Sequence, residues 1–98
     1  MITVILDGEK LQNPTELHRC LAESLHFPGS YGANLDALYD CLTDLSQDIQ
    51  IRIPAFEMLK ASLGAYAGRF LRVLRDAEAE NPHLHVQAGT SEDIQNPE

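Results

Sequence analysis

The sequence predicts an α/β fold in which a three-stranded parallel sheet packs against about four helices. Residues 2–6 form an apolar run interrupted only by Thr3, whereas residues 49–53 and 84–86 alternate apolar and polar side chains, so all three segments are strand-like. Amphipathic helical segments separate these strands, which favours parallel pairing through right-handed crossovers. Because the first strand is the most apolar, we expect it to be covered on both faces and to lie in the centre, giving strand order 2-1-3.

The predicted helices span residues 14–26, 34–45, 54–63 and 65–80. Asn34 is a good N-cap for the second helix, and Asn13-Pro14 opens the first. Asn81-Pro82 stops the last helix. We therefore expect one domain over residues 1–88, followed by a polar, acidic and disordered tail over residues 89–98.

Composition and charge restrict the classes of partner and the cellular location that we expect. The formal net charge of −8 argues against direct binding of nucleic acid, because phosphate recognition requires a basic surface. The chain has neither a secretory signal pattern nor an apolar run long enough to cross a membrane, so we expect a cytoplasmic protein without a membrane partner. Cys20 and Cys41 are then expected to be reduced, buried thiols, and the free protein to be a monomer.

A row of aspartates marks the second helix. Asp36, Asp40 and Asp44 recur every four residues, opposite an apolar stripe of leucines. Like charges at this spacing destabilise a helix by about 0.2–0.5 kcal/mol per pair. The row is either the solvated face of an ordinary amphipathic helix or a binding surface, and the flanking Tyr31 and Tyr39 favour a binding surface.

Catalysis and metal binding fit these residues poorly. Asp36 and Asp40 are expected on a convex helix face without a Ser, Lys or His nucleophile set, so they do not predict an enzyme. One helix face cannot surround calcium, and His83 and His85 lack a visible third ligand. His18 and His26 are interpreted as surface or half-buried residues. We therefore predict no metal and no cofactor.

The segment from Tyr31 to Leu42, with the pattern Tyr-Gly-x-Asn-Leu-Asp-Ala-Leu-x-Asp-Cys-Leu, resembles the barstar family of intracellular inhibitors of barnase-type ribonucleases. Further matches are Asp7-Gly8-Glu9, Leu17-His18 and Arg75-Asp76-Ala77-x-Ala79-Glu80, so the resemblance runs from about Ile2 to Val86. It implies the same arrangement of strands and helices and a ribonuclease inhibitor that performs no chemistry.

The resemblance implies a protein-binding surface made of the second helix, the loop before it and the end of the last helix. Asp40 matches the principal contact of the family, with Asp36 beside it as a second cationic contact. The expected partner-binding residues are Tyr31, Gly32, Asn34, Asp36, Tyr39, Asp40, Thr43, Asp76 and Glu80. Asp76 and Glu80 would be rim contacts, although Arg72 is placed to pair with Asp76.

The implied partner is a basic, secreted or toxin-type ribonuclease bound 1:1. Ser30 and Tyr39 replace the aromatic and the tryptophan typical of the family, and Asp44-Leu45 replaces a common glycine–tryptophan pair. These departures favour a target ribonuclease other than barnase. Two alternatives remain at this point: a module of the same fold that binds a non-nuclease protein, and a small hydrolase that uses the carboxylates.

Overall fold

The computed structural model describes residues 2–89, which form four helices and a three-stranded parallel sheet. In chain order the elements are β1 (Ile2–Ile5), α1 (Pro14–Leu25), α2 (Leu35–Thr43), β2 (Ile49–Ile53), α3 (Phe56–Leu63), α4 (Ala65–Glu80) and β3 (Leu84–Ala88). The predicted α/β class is therefore confirmed. No helix among these residues is long and apolar enough to cross a membrane.

The strand order is β1-β2-β3, so the predicted order 2-1-3 is wrong. Hydrogen-bonded pairing on both sides of β2 sets Val4 beside Ile51 and Ile51 beside Val86. The apolar side chains of β2 are at most 2% exposed, as expected for a central strand, whereas Ile5 of β1 is 58% exposed. The apolar run of β1 does not identify the central strand, because β1 is an edge strand buried on one face only.

Only one face of the sheet is covered within the described residues. Val4, Ile51 and Val86 lie in register on the buried face, and the alternate positions of all three strands face outward. The outward side chains of β2 and β3 are mostly polar, namely Gln50, Arg52, His85 and Gln87. Parallel sheets are usually covered on both faces, and these polar positions explain why this one is not.

Side chains of α4 protect the outer edge of β3. The Glu78 carboxylate accepts a hydrogen bond from the Val86 N–H at 2.8 Å, and Arg75 Nη1 donates to the Val86 carbonyl at 2.8 Å. Arg75 and Glu78 also form an ion pair at 3.3 Å. Together they occupy the backbone groups that an added strand would use, which is one way to prevent edge-to-edge association.

The tail predicted over residues 89–98 lies mostly outside the described residues. Gly89, its first residue, is bonded to the domain. Its N–H donates to the Ile53 carbonyl at 2.8 Å, and its carbonyl accepts from the Phe56 N–H at 3.0 Å. The described domain therefore includes Gly89, one residue beyond the predicted boundary.

Replacing Glu78 with alanine is expected to lower the free energy of unfolding by about 1–2 kcal/mol, because the Val86 N–H loses its charged acceptor. Denaturant unfolding measures this change. Glu80→Ala is the matched control: Glu80 is exposed at the end of the same helix, and its loss should change stability by less than about 0.5 kcal/mol. Equal effects of the two substitutions would contradict a stabilising role for the edge contact.

Candidate functional site

The loop before α2 is fixed to the first turn of that helix. Asn34 is the N-cap, as predicted, and its Oδ1 accepts a hydrogen bond from the Ala37 N–H at 2.8 Å. Its Nδ2 donates to the Gly32 carbonyl at 3.4 Å. A Cβ at residue 32 would lie 2.9 Å from Asn34 Nδ2, so glycine allows this close approach.

Ala33 carries backbone strain at this same point. Its φ of +54° lies in the left-handed region, which costs a residue with a Cβ roughly 1–2 kcal/mol. The Asn34 contacts on both sides hold it there. Strained residues held by their surroundings concentrate at binding sites. The backbone of the Tyr31–Asn34 segment is therefore held in one defined conformation at the surface.

The other end of α2 is anchored by Asn81, which follows α4. Asn81 is 4% exposed, and its Nδ2 donates to the carbonyls of Leu42 and Leu45 at 2.9 and 3.0 Å. Its Oδ1 accepts from the His83 N–H at 2.9 Å. Carbonyls at a helix end have no partner one turn later within the helix, so the amide adds hydrogen bonds there, where the Leu42 carbonyl otherwise accepts a long bond from the Leu45 N–H at 3.5 Å. Sequence reasoning identified Asn81 only as a helix stop.

The helix itself is shorter than predicted. It ends at Thr43, and Asp44 is its C-cap. Leu38 and Leu42 of the predicted apolar stripe are fully buried. The Thr43 hydroxyl donates to the Tyr39 carbonyl at 2.9 Å and to the Asp40 carbonyl at 3.2 Å, so its proton is used within the helix. The Thr43 oxygen therefore retains only its acceptor capacity for any further hydrogen bond.

Asp36, Asp40 and Asp44 are exposed, as predicted. The ion pairs within residues 2–89 are Arg75–Glu78 and His83–Asp48, and neither includes these three aspartates. The Arg72–Asp76 pair expected from the sequence is not among them either. The negative charge of α2 is therefore not neutralised by a cation in the described part of the chain.

We expected Asp40 on a convex helix face. It is exposed and lines the edge of a shallow, open cleft of about 510 Å³ between the end of α1 and α2. Thr43 and Asp44 line the same cleft, and its opposite wall contains three residues that sequence reasoning did not assign: His26, Phe27 and Pro28. The other predicted site residues do not line this cleft. Asp76 and Glu80 are exposed on α4, the helix against which α2 packs.

The cleft also contains Cys41, so a thiol, an imidazole and carboxylates share its wall. Both Cys20 and Cys41 are free and partly exposed, so neither is as buried as predicted. Burial and the adjacent carboxylates of Asp40 and Asp44 raise the pKa of the Cys41 thiol. A raised pKa suppresses the thiolate, which is the reactive form. The cleft therefore does not activate Cys41 as a nucleophile.

The two flanking tyrosines are half-buried rather than exposed. Tyr31 packs against Phe27 with ring centroids 4.9 Å apart, and its hydroxyl is hydrogen-bonded to His18 Nδ1. His18 is 1% exposed, so its interpretation as a surface or half-buried residue is wrong. Its spacing contained the signal: His18 lies three and seven residues before the buried Leu21 and Leu25, on the apolar side of α1.

Asn81→Asp keeps the shape of the side chain but replaces the two amide protons with a negative charge beside two carbonyls. We expect the free energy of unfolding to fall by about 1–3 kcal/mol, measured by denaturant unfolding. Gln87→Glu makes the same charge change at an exposed position and should have little effect. Wild-type stability of Asn81→Asp would contradict the anchoring of α2 by Asn81.

The sequence of this chain matches those of known proteins. The family model described as Barstar (barnase inhibitor) matches residues 1–89. A Bacillus subtilis (strain 168) protein named "Putative ribonuclease inhibitor YrdF" is 40% identical to this chain over 81 residues, which cover 82% of this chain and 89% of that protein. The chain therefore belongs to the barstar family.

Proposed function

We propose that this protein is an inhibitor of a barnase-type ribonuclease and that it blocks the active site with the Asp40 carboxylate. The observation that carries the proposal is the row of three exposed aspartates without a cationic partner in residues 2–89, two of which, Asp40 and Asp44, line an open cleft. Family membership and the name of the Bacillus relative support the same general role.

The mechanism follows from what a ribonuclease active site contains. Such a site needs cationic side chains that bind a phosphodiester and stabilise its developing negative charge. A carboxylate projected from a helix can occupy the phosphate position and accept charge-assisted hydrogen bonds from those cations. Asp40 takes this role, and Asp36 makes a second cationic contact one turn earlier. The protein transforms no substrate.

The surface is suited to this task because its parts are already ordered. The Asn34 cap fixes the loop to α2, and Asn81 fixes the end of α2. Little ordering is then required on binding, which preserves affinity. Tyr31, Gly32 and Asn34 supply loop contacts, and the remaining contacts come from Tyr39, Thr43, Asp76 and Glu80.

The partner is a basic ribonuclease of the secreted or toxin type, bound 1:1 by a cytoplasmic monomer that acts as an antitoxin or immunity protein. Ser30, Tyr39 and Asp44-Leu45 depart from the family pattern around the acidic row. The contacts around the central carboxylate are therefore altered, which favours a target other than barnase. Capture of partners from the source organism, followed by an RNA-degradation assay, separates this proposal from binding of a non-nuclease protein.

Asp40→Ala is expected to weaken inhibition of the ribonuclease by about 2–5 kcal/mol, the range for removing one member of a buried charge pair. The partner's cations would be left desolvated and unpaired. The fold should be unaffected, because Asp40 is exposed and its loss relieves repulsion with Asp36 and Asp44. Inhibition assays give the change in affinity, and thermal unfolding checks stability.

Asp44→Ala is the matched control, since it removes the same charge one turn later, at the C-cap. It should weaken inhibition much less than Asp40→Ala. If the two variants inhibit equally well, or if Asp40→Ala inhibits as strongly as the wild type, Asp40 is not the phosphate mimic.

Association with the ribonuclease is expected to slow as salt is added, because the net charge of −8 steers a basic partner. Salt screens such steering over about 8–10 Å at ordinary ionic strength. Stopped-flow mixing at a series of salt concentrations measures the association rate, and the dissociation rate should change less. An association rate that does not vary with salt would remove electrostatic steering from the mechanism.

A further inference from the structure

We propose that His18 is a positioning residue for the partner-binding loop, and that it holds Tyr31 by bridging it to Tyr66 on α4. Nothing in the family comparison assigns this bridge, in which one imidazole joins α1, the loop and α4. The inference rests on the proposed function, because it concerns the placement of a loop that the proposal puts against the ribonuclease.

Both nitrogens of the buried His18 ring are engaged. Nδ1 is hydrogen-bonded to the Tyr31 hydroxyl, and Nε2 lies 2.7 Å from the Tyr66 hydroxyl. The ring planes of His18 and Tyr66 are nearly perpendicular, at 75°, so the hydroxyl meets the imidazole edge and the rings are not stacked. No side-chain nitrogen or oxygen buried within residues 2–89 lacks a partner.

The bond to His18 ties the loop to α1. The bond from Asn34 Nδ2 to the Gly32 carbonyl ties it to the start of α2, and among the described residues these two hydrogen bonds join residues 28–33 to neighbouring helices. The other bonds of this segment are local, such as the Tyr31 N–H to the Pro28 carbonyl at 2.9 Å. Loss of the bridge would therefore release Tyr31 while leaving the Asn34 cap of α2 intact.

The bridge also determines what Tyr31 presents to a partner. A neutral imidazole has one N–H donor and one acceptor nitrogen, so one tyrosine donates to the ring and the other accepts from it. If Nε2–H donates to Tyr66, then Nδ1 accepts the Tyr31 proton, and the outward lone pairs of the Tyr31 oxygen can accept from cationic side chains. The opposite tautomer would turn the Tyr31 proton toward those cations. A cationic partner therefore selects the Nε2–H tautomer.

This proton arrangement is sensitive to pH. The groups nearest the bridge are the Tyr31 and Tyr66 hydroxyls, the Cys41 thiol close to Tyr31, and the Arg69 guanidinium, 5.6 Å from the Tyr66 ring centroid. Burial lowers the pKa of His18 below its ordinary value of 6.5. A protonated ring would donate from both nitrogens and turn the Tyr31 proton outward. Binding should therefore be strongest with neutral His18 and weaken as pH falls through its lowered pKa.

Tyr66→Phe is the cleanest test, because it removes one hydroxyl from a residue outside the proposed contact set. The probe is the ribonuclease that the wild type binds most tightly in a panel of purified barnase-type enzymes. We expect an increase in Kd of about tenfold, because a loop whose anchoring His18 ring is no longer held by Tyr66 must be ordered on binding. Ile49→Val, a small truncation in the core of β2, controls for general destabilisation and should leave Kd unchanged.

A second readout needs no partner. Amide hydrogen exchange of Tyr31, whose N–H donates to the Pro28 carbonyl at 2.9 Å, should accelerate in Tyr66→Phe and not in Ile49→Val. Unchanged exchange in this loop would overturn the proposal even if no ribonuclease in the panel is bound. If the panel is not bound but exchange accelerates, the proposed function fails while the bridge stands. If Asp40→Ala abolishes binding and Tyr66→Phe leaves Kd unchanged, the function stands and the positioning role fails.

The conservative variants of His18 distinguish positioning from simple core stability. Asparagine places its polar group near the position of Nδ1, so His18→Asn should retain the bond to Tyr31 and bind more tightly than His18→Gln, whose amide lies nearer the position of Nε2. The weakening of binding as pH falls through the lowered pKa of His18 should be smaller in both variants than in the wild type. Equal binding by the two variants, or an unchanged pH dependence, would overturn the proposal.

Discussion

The proposed partner-binding surface depends on a row of negative charges on α2 that the fold holds in position and that no ion pair neutralises within the described residues. Three exposed aspartates repeat along one helix, and no cation pairs with them in the described part of the chain. Repulsion between them opposes helix formation. The protein offsets it at the helix ends, where Asn34 caps the first turn and Asn81 binds the last carbonyls. Contacts at both ends therefore stabilise a helix of only nine residues, which its intrinsic helix propensity alone would not stabilise.

The rest of the fold supports this helix from one side. The leucines of α2 are buried in the core and α2 packs against α4, which in turn closes the outer edge of β3 through Arg75 and Glu78. Asn81 joins the end of α4 to the end of α2, so one residue connects the scaffold to the acidic surface. The charged face of α2 is exposed because the packing is confined to the opposite face.

Local sequence patterns predict the helices, the strands and the acidic row. The strand order and the roles of Asn81 and His18 depend on tertiary contacts. The Asn34 cap and the leucine spacing are local signals, and both predict α2 well. The strand order was wrong because the apolarity of β1 does not reveal which face is covered, and Ile5 is exposed. Asn81 was interpreted only as a helix stop, since its amide acts on residues about 40 positions earlier in the chain. His18 was misplaced although its spacing to Leu21 already indicated the apolar side of α1.

The most direct test of the phosphate-mimic mechanism is competition with a nucleoside monophosphate for the ribonuclease. The apparent Kd of this protein is measured at increasing nucleotide concentration, with salt adjusted to constant ionic strength. If the Asp40 carboxylate occupies the phosphate position, the two ligands exclude each other, and the apparent Kd rises by the factor 1 + c/K, where c is the concentration of the nucleotide and K is its dissociation constant. An apparent Kd that stays constant when the ribonuclease is saturated with nucleotide would show that both bind together, which would contradict the mechanism.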